Sequence, residues 1–129
     1  MKKSSKTLVN KELLTDFLKE LKLEFKLNGI LVTSKDGKKV IKIIDDQFQS
    51  KKFSAMCASV FRSAQDIGIA AENRSIDKII TRLEENNIIL MSINRDYFLT
   101  LICDENSKVQ FFLKKRKENL KRILEFFRD

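Results

Sequence analysis

Residues 28–43 read NGILVTSKDGKKVIKI, two short apolar runs joined by a polar Lys35-Asp36-Gly37 tip. Asp-Gly between strand-like runs signals a hairpin, because Gly accepts the positive φ that a tight turn requires. Gly37-Lys38 also resembles the end of a phosphate-binding loop. Val32, however, stands where that loop needs its first glycine, and a strand follows instead of a helix. The stretch therefore reads as the first two strands of a sheet, near 29–34 and 38–44, and the rest of the chain is arranged around it.

Upstream, Leu14, Phe17, Leu18, Leu21 and Phe25 recur at helical spacing, with Asn10 placed to cap the start. Downstream, residues 45–50 break the pattern as a loop and a second helix is expected over about 51–71. Its apolar stripe is Phe53, Met56, Cys57, Val60, Phe61, Ala64, Ile67 and Ala71; its other faces carry the small residues Ser54, Ala55, Ala58, Ser59, Ser63 and Ala70. Small side chains either fill a helix without consequence or let another helix approach closely, so one face is read against the sheet and another against a partner.

Three strand-like runs follow, at 77–85, 88–93 and 97–103, joined by Asn-containing turns of hairpin length. Residues 88–93 are apolar on both faces, as a doubly covered strand is, whereas 77–85 is mixed and suits an edge or a junction with another chain. Ser107 and Gln110 match a capping box at the start of a last helix. Val109, Phe112, Leu113, Leu120, Ile123, Leu124 and Phe127 share its apolar face, with the stem of Arg116 among them. The order α-β-β-α-β-β-β-α predicts an α+β fold, a five-stranded antiparallel sheet with helices on both faces.

Composition bounds the function. A chain of 129 residues fits one domain, expected over 10–129 behind a basic tail at 1–9. With no proline and three glycines, no segment reads as a linker. No apolar run approaches the roughly 20 residues that span a bilayer, and the start lacks the apolar core of a secretory signal, so a cytoplasmic protein is expected. The net charge of +8 is uneven: residues 1–11 carry four Lys and no acid, residues 107–129 eight Lys/Arg against three acids, and the middle fourteen against fifteen. The body is neutral and the ends are basic. Solvated lysines explain this, or an anionic partner surface does. Lys114, Lys117, Lys121 and Arg128 fall on one side of the last helix, which keeps open an adaptor for an anionic membrane surface or nucleic acid. Glu118 and Glu125 interrupt that side, and no aromatic platform for stacking bases is evident.

Catalytic signatures are missing. Without histidine the chain lacks the usual general base and the commonest metal ligand. Cys57 and Cys103 are too far apart in sequence for a C-x-x-C motif and read as buried free thiols. The pairs Asp45-Asp46, Glu84-Glu85 and Asp104-Glu105 lie at strand ends, where neighbouring side chains point to opposite faces. Neither an enzyme nor a cofactor or metal site is expected.

The entry helix ending in Leu27-Asn28-Gly29, the hairpin ILVTSKDGKKVI, the second helix FSAMCASVFRSAQDI and the closing YFLTLICDENS together resemble the Roadblock family of dynein-light-chain-like domains. The resemblance spans about residues 10 to 127; the lysine-rich ends depart from it. It implies a homodimer, or a heterodimer with a paralogous Roadblock protein, formed through the third strand and second helix. It also implies a non-enzymatic platform that binds a Ras-like small GTPase as scaffold or regulator. By position, Ile79, Thr81 and Leu83 would form the strand junction and Ala55, Ala58 and Ser59 the helix seam. Arg62, Gln65 and Asp66 would meet the GTPase, with Arg62 the arginine that an activating role would use.

Overall fold

The computed structural model describes residues 10–44 and 50–127. The expected tail at 1–9, the loop at 45–49 with its Asp45-Asp46 pair, and Arg128 lie outside them. The hairpin forms as read: β1 (Gly29–Ser34) pairs antiparallel with β2 (Val40–Ile44), with Thr33 opposite Val40 and Gly29 opposite Ile44. Its tip is closed by side chains as well as backbone. Gly37 takes φ +80, the Ser34 hydroxyl donates to Asp36 at 2.6 Å, and the Lys39 N–H donates to the Ser34 hydroxyl at 2.9 Å.

Helix α1 (Lys11–Glu24) starts where Asn10 Oδ1 accepts the Leu13 N–H at 3.0 Å, and buries Leu14, Phe17, Leu18 and Leu21. After helix α2 (Ser50–Ala70) the chain makes β3 (Ile79–Arg82), β4 (Asn87–Ser92) and β5 (Tyr97–Cys103). All pairs are antiparallel and the order is β2-β1-β5-β4-β3. β5 is central and buried along its whole length; β2 and β3 are the edges. The third strand is shorter than its run of residues implied. Leu83 lies one position past β3, donating its N–H to Asn86 O at 2.7 Å to close the hairpin, so Glu84 and Glu85 form the turn.

Helices cover both faces. On one, α1 packs with Phe112 and Ile123 over Ile30, Val32, Ile89, Met91, Leu99 and Leu101; on the other, α2 packs on Leu31, Ile88, Leu90, Phe98 and Ile102. Burying these sets removes apolar area from water, the main favourable term in folding. Phe61 of α2 stacks on Phe98 with ring centroids 5.0 Å apart, an aromatic pair that adds about 1 kcal/mol to its burial.

The last helix corrects the sequence reading. It is two helices, α3 (Val109–Lys114) and α4 (Arg116–Leu124), meeting at Lys115. At the break the Phe112 carbonyl accepts the Lys115 N–H at 3.1 Å and the buried Asn119 side-chain amide at 3.4 Å, so a polar side chain replaces a lost helical bond. The capping box does not form either. Lys108 is the N-cap, and the Ser107 hydroxyl instead donates to Lys26 O at 2.8 Å, tying the segment to the end of α1. Leu124, assigned to the apolar face, is exposed.

Candidate interaction surface

Helix α2 sits on the sheet by only part of the stripe its hydrophobicity predicts: Phe53, Cys57 and Phe61 of that stripe meet the sheet. Ser54, Cys57, Ala58 and Phe61 are buried against the sheet, while Met56 (59% exposed), Val60 and Ile67 (68%) point to solvent. The reason is the hairpin tip. A Cβ built on Gly37 would lie 3.4 Å from Ala58 Cβ and 3.5 Å from Ala55 Cα, so the turn crosses α2 where its residues are smallest. Arg62 locks the crossing by donating from Nη1 to the Lys35 carbonyl at 2.5 Å, and the Lys35 ammonium lies 5.3 Å from the Phe61 ring centroid. Desolvation pushes the Lys35 pKa down, partly offset by Asp96.

The helix end is fixed in the same way. A Cβ on Gly68 would meet Arg74 O at 2.3 Å, so the chain after α2 folds back directly over this glycine. Gln65 and Asp66, with Ile69, Asn73, Arg74, Ile76 and Ser92, line a groove of about 400 Å³ beside Phe61.

The α2 face of the sheet ends at β3. Ile79 packs partly into the α2 core, and Thr81 and Leu83, exposed, follow it on the same side by strand alternation. The strand's outer edge has no neighbour among the described residues. Just before it, Asp77 is held by Arg116 at 2.8 Å and Lys78 at 3.1 Å; these partners, Lys78 foremost, hold its carboxyl below the ordinary value.

The sequence-assigned residues therefore divide. Ile79, Thr81 and Leu83 lie on one face at a free edge, and Ala55 and Ser59 are exposed. Ala58, assigned to an intermolecular helix seam, is 1% exposed and packs inside its own chain, because the hairpin tip and sheet require a small residue there. Arg62 is engaged intramolecularly, and to act on a partner it would first release Lys35. Reading the helical stripe alone missed Met56, Val60 and Ile67 as outward residues; the signal was the Asp-Gly tip, whose passage over α2 requires alanines beneath it.

Two other concavities have opposite charge. Glu84, Glu85, Asp104 and Glu105 line a groove of about 490 Å³ at the β3–β4 turn. Lys11, Lys38 and Lys39 line one of about 390 Å³ with Tyr97 at the other end of the sheet. Among the described residues no group of three or more His, Cys, Asp or Glu is placed to hold a metal. Cys57 and Cys103 are buried free thiols, and burial pushes Cys57 up to about 11, away from nucleophilic use. No helix among the described residues is long and apolar enough to cross a membrane.

A family model described as mitogen-activated protein kinase kinase 1 interacting matches residues 9–128. No curated protein matches the sequence. Among solved structures, the chain is similar to Myxococcus xanthus MglB at 12% identity, over 88% of this chain and 95% of that one, with a TM-score of 0.75. An MglB with a tetrameric arrangement is 18% identical over 95% and 98%, TM-score 0.75. A Roadblock/LC7 domain from Streptomyces avermitilis is 12% identical over 88% and 94%, TM-score 0.68. The fold is that of Roadblock/LC7 domains.

Proposed function

The chain belongs to the mitogen-activated protein kinase kinase 1 interacting family, and from that premise we propose that it is a non-enzymatic, self-associating platform that binds a Ras-like small GTPase as scaffold or regulator. The observation that carries the reading is the pairing of two unsatisfied features on one sheet face: the outward stripe Met56, Val60 and Ile67 of α2, and the free edge of β3. An open edge and an apolar helix face are each costly to leave in water, and a second copy covers both in one step. The tetrameric arrangement of one similar MglB agrees with self-association. The GTPase partnership rests on the Roadblock resemblance, with Gln65 and Asp66 at the groove beside α2 as contact residues.

Light scattering across a dilution series at moderate salt tests the platform. A mass near twice 15.1 kDa that persists on dilution is expected; a monomer throughout removes the premise. Binding of a Ras-like GTPase from the same organism, loaded with GDP or a GTP analogue, tests the partnership, and equal failure with both nucleotides rejects it.

One observation favours the second reading, an anionic surface as partner. Phe111 is 61% exposed with the Lys114 ammonium 6.0 Å from its ring centroid, so an aromatic ring and a cation share the outer side of α3. Binding through that side would collapse as salt rises, whereas the packed platform would depend on salt far less.

A further inference from the structure

We propose that the groove at the hairpin end of the sheet binds an organic phosphate monoester, with Lys11, Lys38, Lys39 and the Tyr97 hydroxyl on the phosphate and Val32 and Ile41 beneath its apolar part. The groove lies beside β2, the edge opposite β3, so the inference goes beyond the platform reading and stands independently of it.

The register of the hairpin builds the site. The Ser34 N–H donates to Lys39 O at 2.8 Å and Ser34 lies opposite Tyr97, so Lys39, Ser34 and Tyr97 form one row across the end of the sheet. Val32 and Ile41, opposite each other, form the next row on the same face, because side chains two apart along a strand point the same way. Tyr97, Val32 and Ile41 all belong to the core beneath α1. That helix begins at Lys11, which lines the groove from the helix side. Lys38 comes from the Asp-Gly tip, where Gly37 at φ +80 turns the chain back towards β2.

Positive charge dominates the groove. Lys11, Lys38 and Lys39 are exposed and hold no carboxylate at ion-pair distance among the described residues. Asp36 and Asp96 act on Tyr97 electrostatically, but neither lines the groove. Asp36 accepts from the Ser34 hydroxyl at 2.6 Å and the Lys38 N–H at 3.0 Å, and Asp96 acts on Lys35. Glu12, the acid in the first turn of α1, also lies outside the lining. The helix N-terminus adds a partial positive charge.

Tyr97 is 4% exposed, with its ring centroid 4.9 Å from that of Phe127, yet its hydroxyl has no hydrogen-bond partner among the described residues. A buried tyrosine hydroxyl ordinarily finds one. Burial foremost, then Asp96 and Asp36, pushes its pKa up, so at neutral pH it keeps its proton and can donate. A phosphate monoester fits this set. It carries nearly two negative charges and three strong acceptor oxygens, which three ammoniums and a hydroxyl match, and lysine binds phosphate as a point charge. A volume of about 390 Å³ is that of a small-ligand site, and the apolar floor has a use only for an organic remainder.

Calorimetric titration with phenyl phosphate tests the site. Saturable binding below about 1 mM is expected, and its absence overturns the proposal. Benzoate, with the same ring and a single charge, is expected to bind at least about tenfold more weakly; equal binding overturns the phosphate assignment. Inorganic phosphate binding as tightly as the ester removes the apolar floor from the site. Lys38→Gln with Lys39→Gln is expected to weaken phenyl phosphate at least about tenfold, and Tyr97→Phe, which keeps the ring, about threefold. Unchanged affinity in Tyr97→Phe removes the hydroxyl from the site. Lys114→Gln with Lys117→Gln takes the same charge from the last two helices and is expected to leave affinity within about twofold; equal losses from both pairs would mean attraction by net charge alone and overturn the site. Phosphatidylcholine vesicles containing phosphatidic acid separate the two sources of such a group. Capture that is lost with Lys38→Gln and Lys39→Gln assigns a lipid headgroup, whereas capture that is absent or unaffected assigns a soluble ester.

Discussion

Lys26 holds a conformation that its side chain disfavours. It sits at φ 52 immediately after the C-cap of α1, with its N–H donating to Leu23 O at 3.3 Å and the Leu27 N–H donating to Lys22 O at 2.9 Å. That pattern is a Schellman ending, and the left-handed residue in it is usually glycine. Lys26→Gly is therefore expected to stabilise the fold by about 1 kcal/mol, read as a higher urea midpoint at unchanged slope. An unchanged or lower midpoint would show that the lysine side chain contributes more than its backbone costs. The nearby Gly29 has a different reason to be small: a Cβ there would lie 3.0 Å from Ile102 Cδ1 and 3.1 Å from Ile44 Cγ1. In the sequence, Gly29 marked the end of the entry helix, but the turn falls at Lys26, where local composition carries no such signal.

At the scale of elements, α2 and the β1–β2 hairpin determine each other's placement. The amphipathic pattern identified a helix at 51–71 but not its buried face, since the stripe through Met56, Val60 and Ile67 is as apolar as the stripe through Cys57 and Phe61. Close contact with Gly37 decides the matter in favour of the small face. Arg62 holds that contact, so Arg62→Ala is expected to loosen the tip while the sheet stays intact. Amide exchange should accelerate at Gly37 and Ser34, whose N–H groups donate within the tip to Ser34 O and Lys39 O, and stay slow along β5. Unchanged exchange at the tip would mean that Ser34 and Asp36 suffice to hold it.

For the whole molecule, three carboxyls set its acid limit: Asp36 closes the hairpin tip, and Asp77 and Asp104 tie distant segments together. Asp36 is lowered chiefly by the Ser34 hydroxyl, Asp77 by Lys78 with Arg116, and Asp104 by the Asn106 N–H with Asn28 and Ser107. A carboxyl lowered in the folded state adds stability above its unfolded pKa and loses it as pH falls through the folded value. Stability is thus expected to hold between about pH 5 and 7 and to drop below about pH 4, measured as urea midpoints along that series. A midpoint still level near pH 2 would show that these contacts persist in the protonated form. Asp36 and Asp77 are exposed and Asp104 is only half-buried, so each contributes modestly.

The sequence by itself determined the order of strands and helices up to the last helix, the hairpin, the capped first helix and the two-sided burial of the sheet, because periodicity and turn chemistry are local properties. It also singled out 77–85 as the strand with an unsatisfied edge, from its mixed polarity. Only the tertiary structure decided which face of α2 looks outward, that Ala58 is core, that Arg62 is engaged with Lys35, and that the last helix breaks at Lys115. The placements in α2 depend on partners far along the chain, Gly37 for Ala58 and Lys35 for Arg62, and the break depends on a side chain from the next helix, Asn119, at the freed carbonyl of Phe112. Close packing discriminates between faces that hydrophobicity leaves equal, and that discrimination exists only once the elements meet.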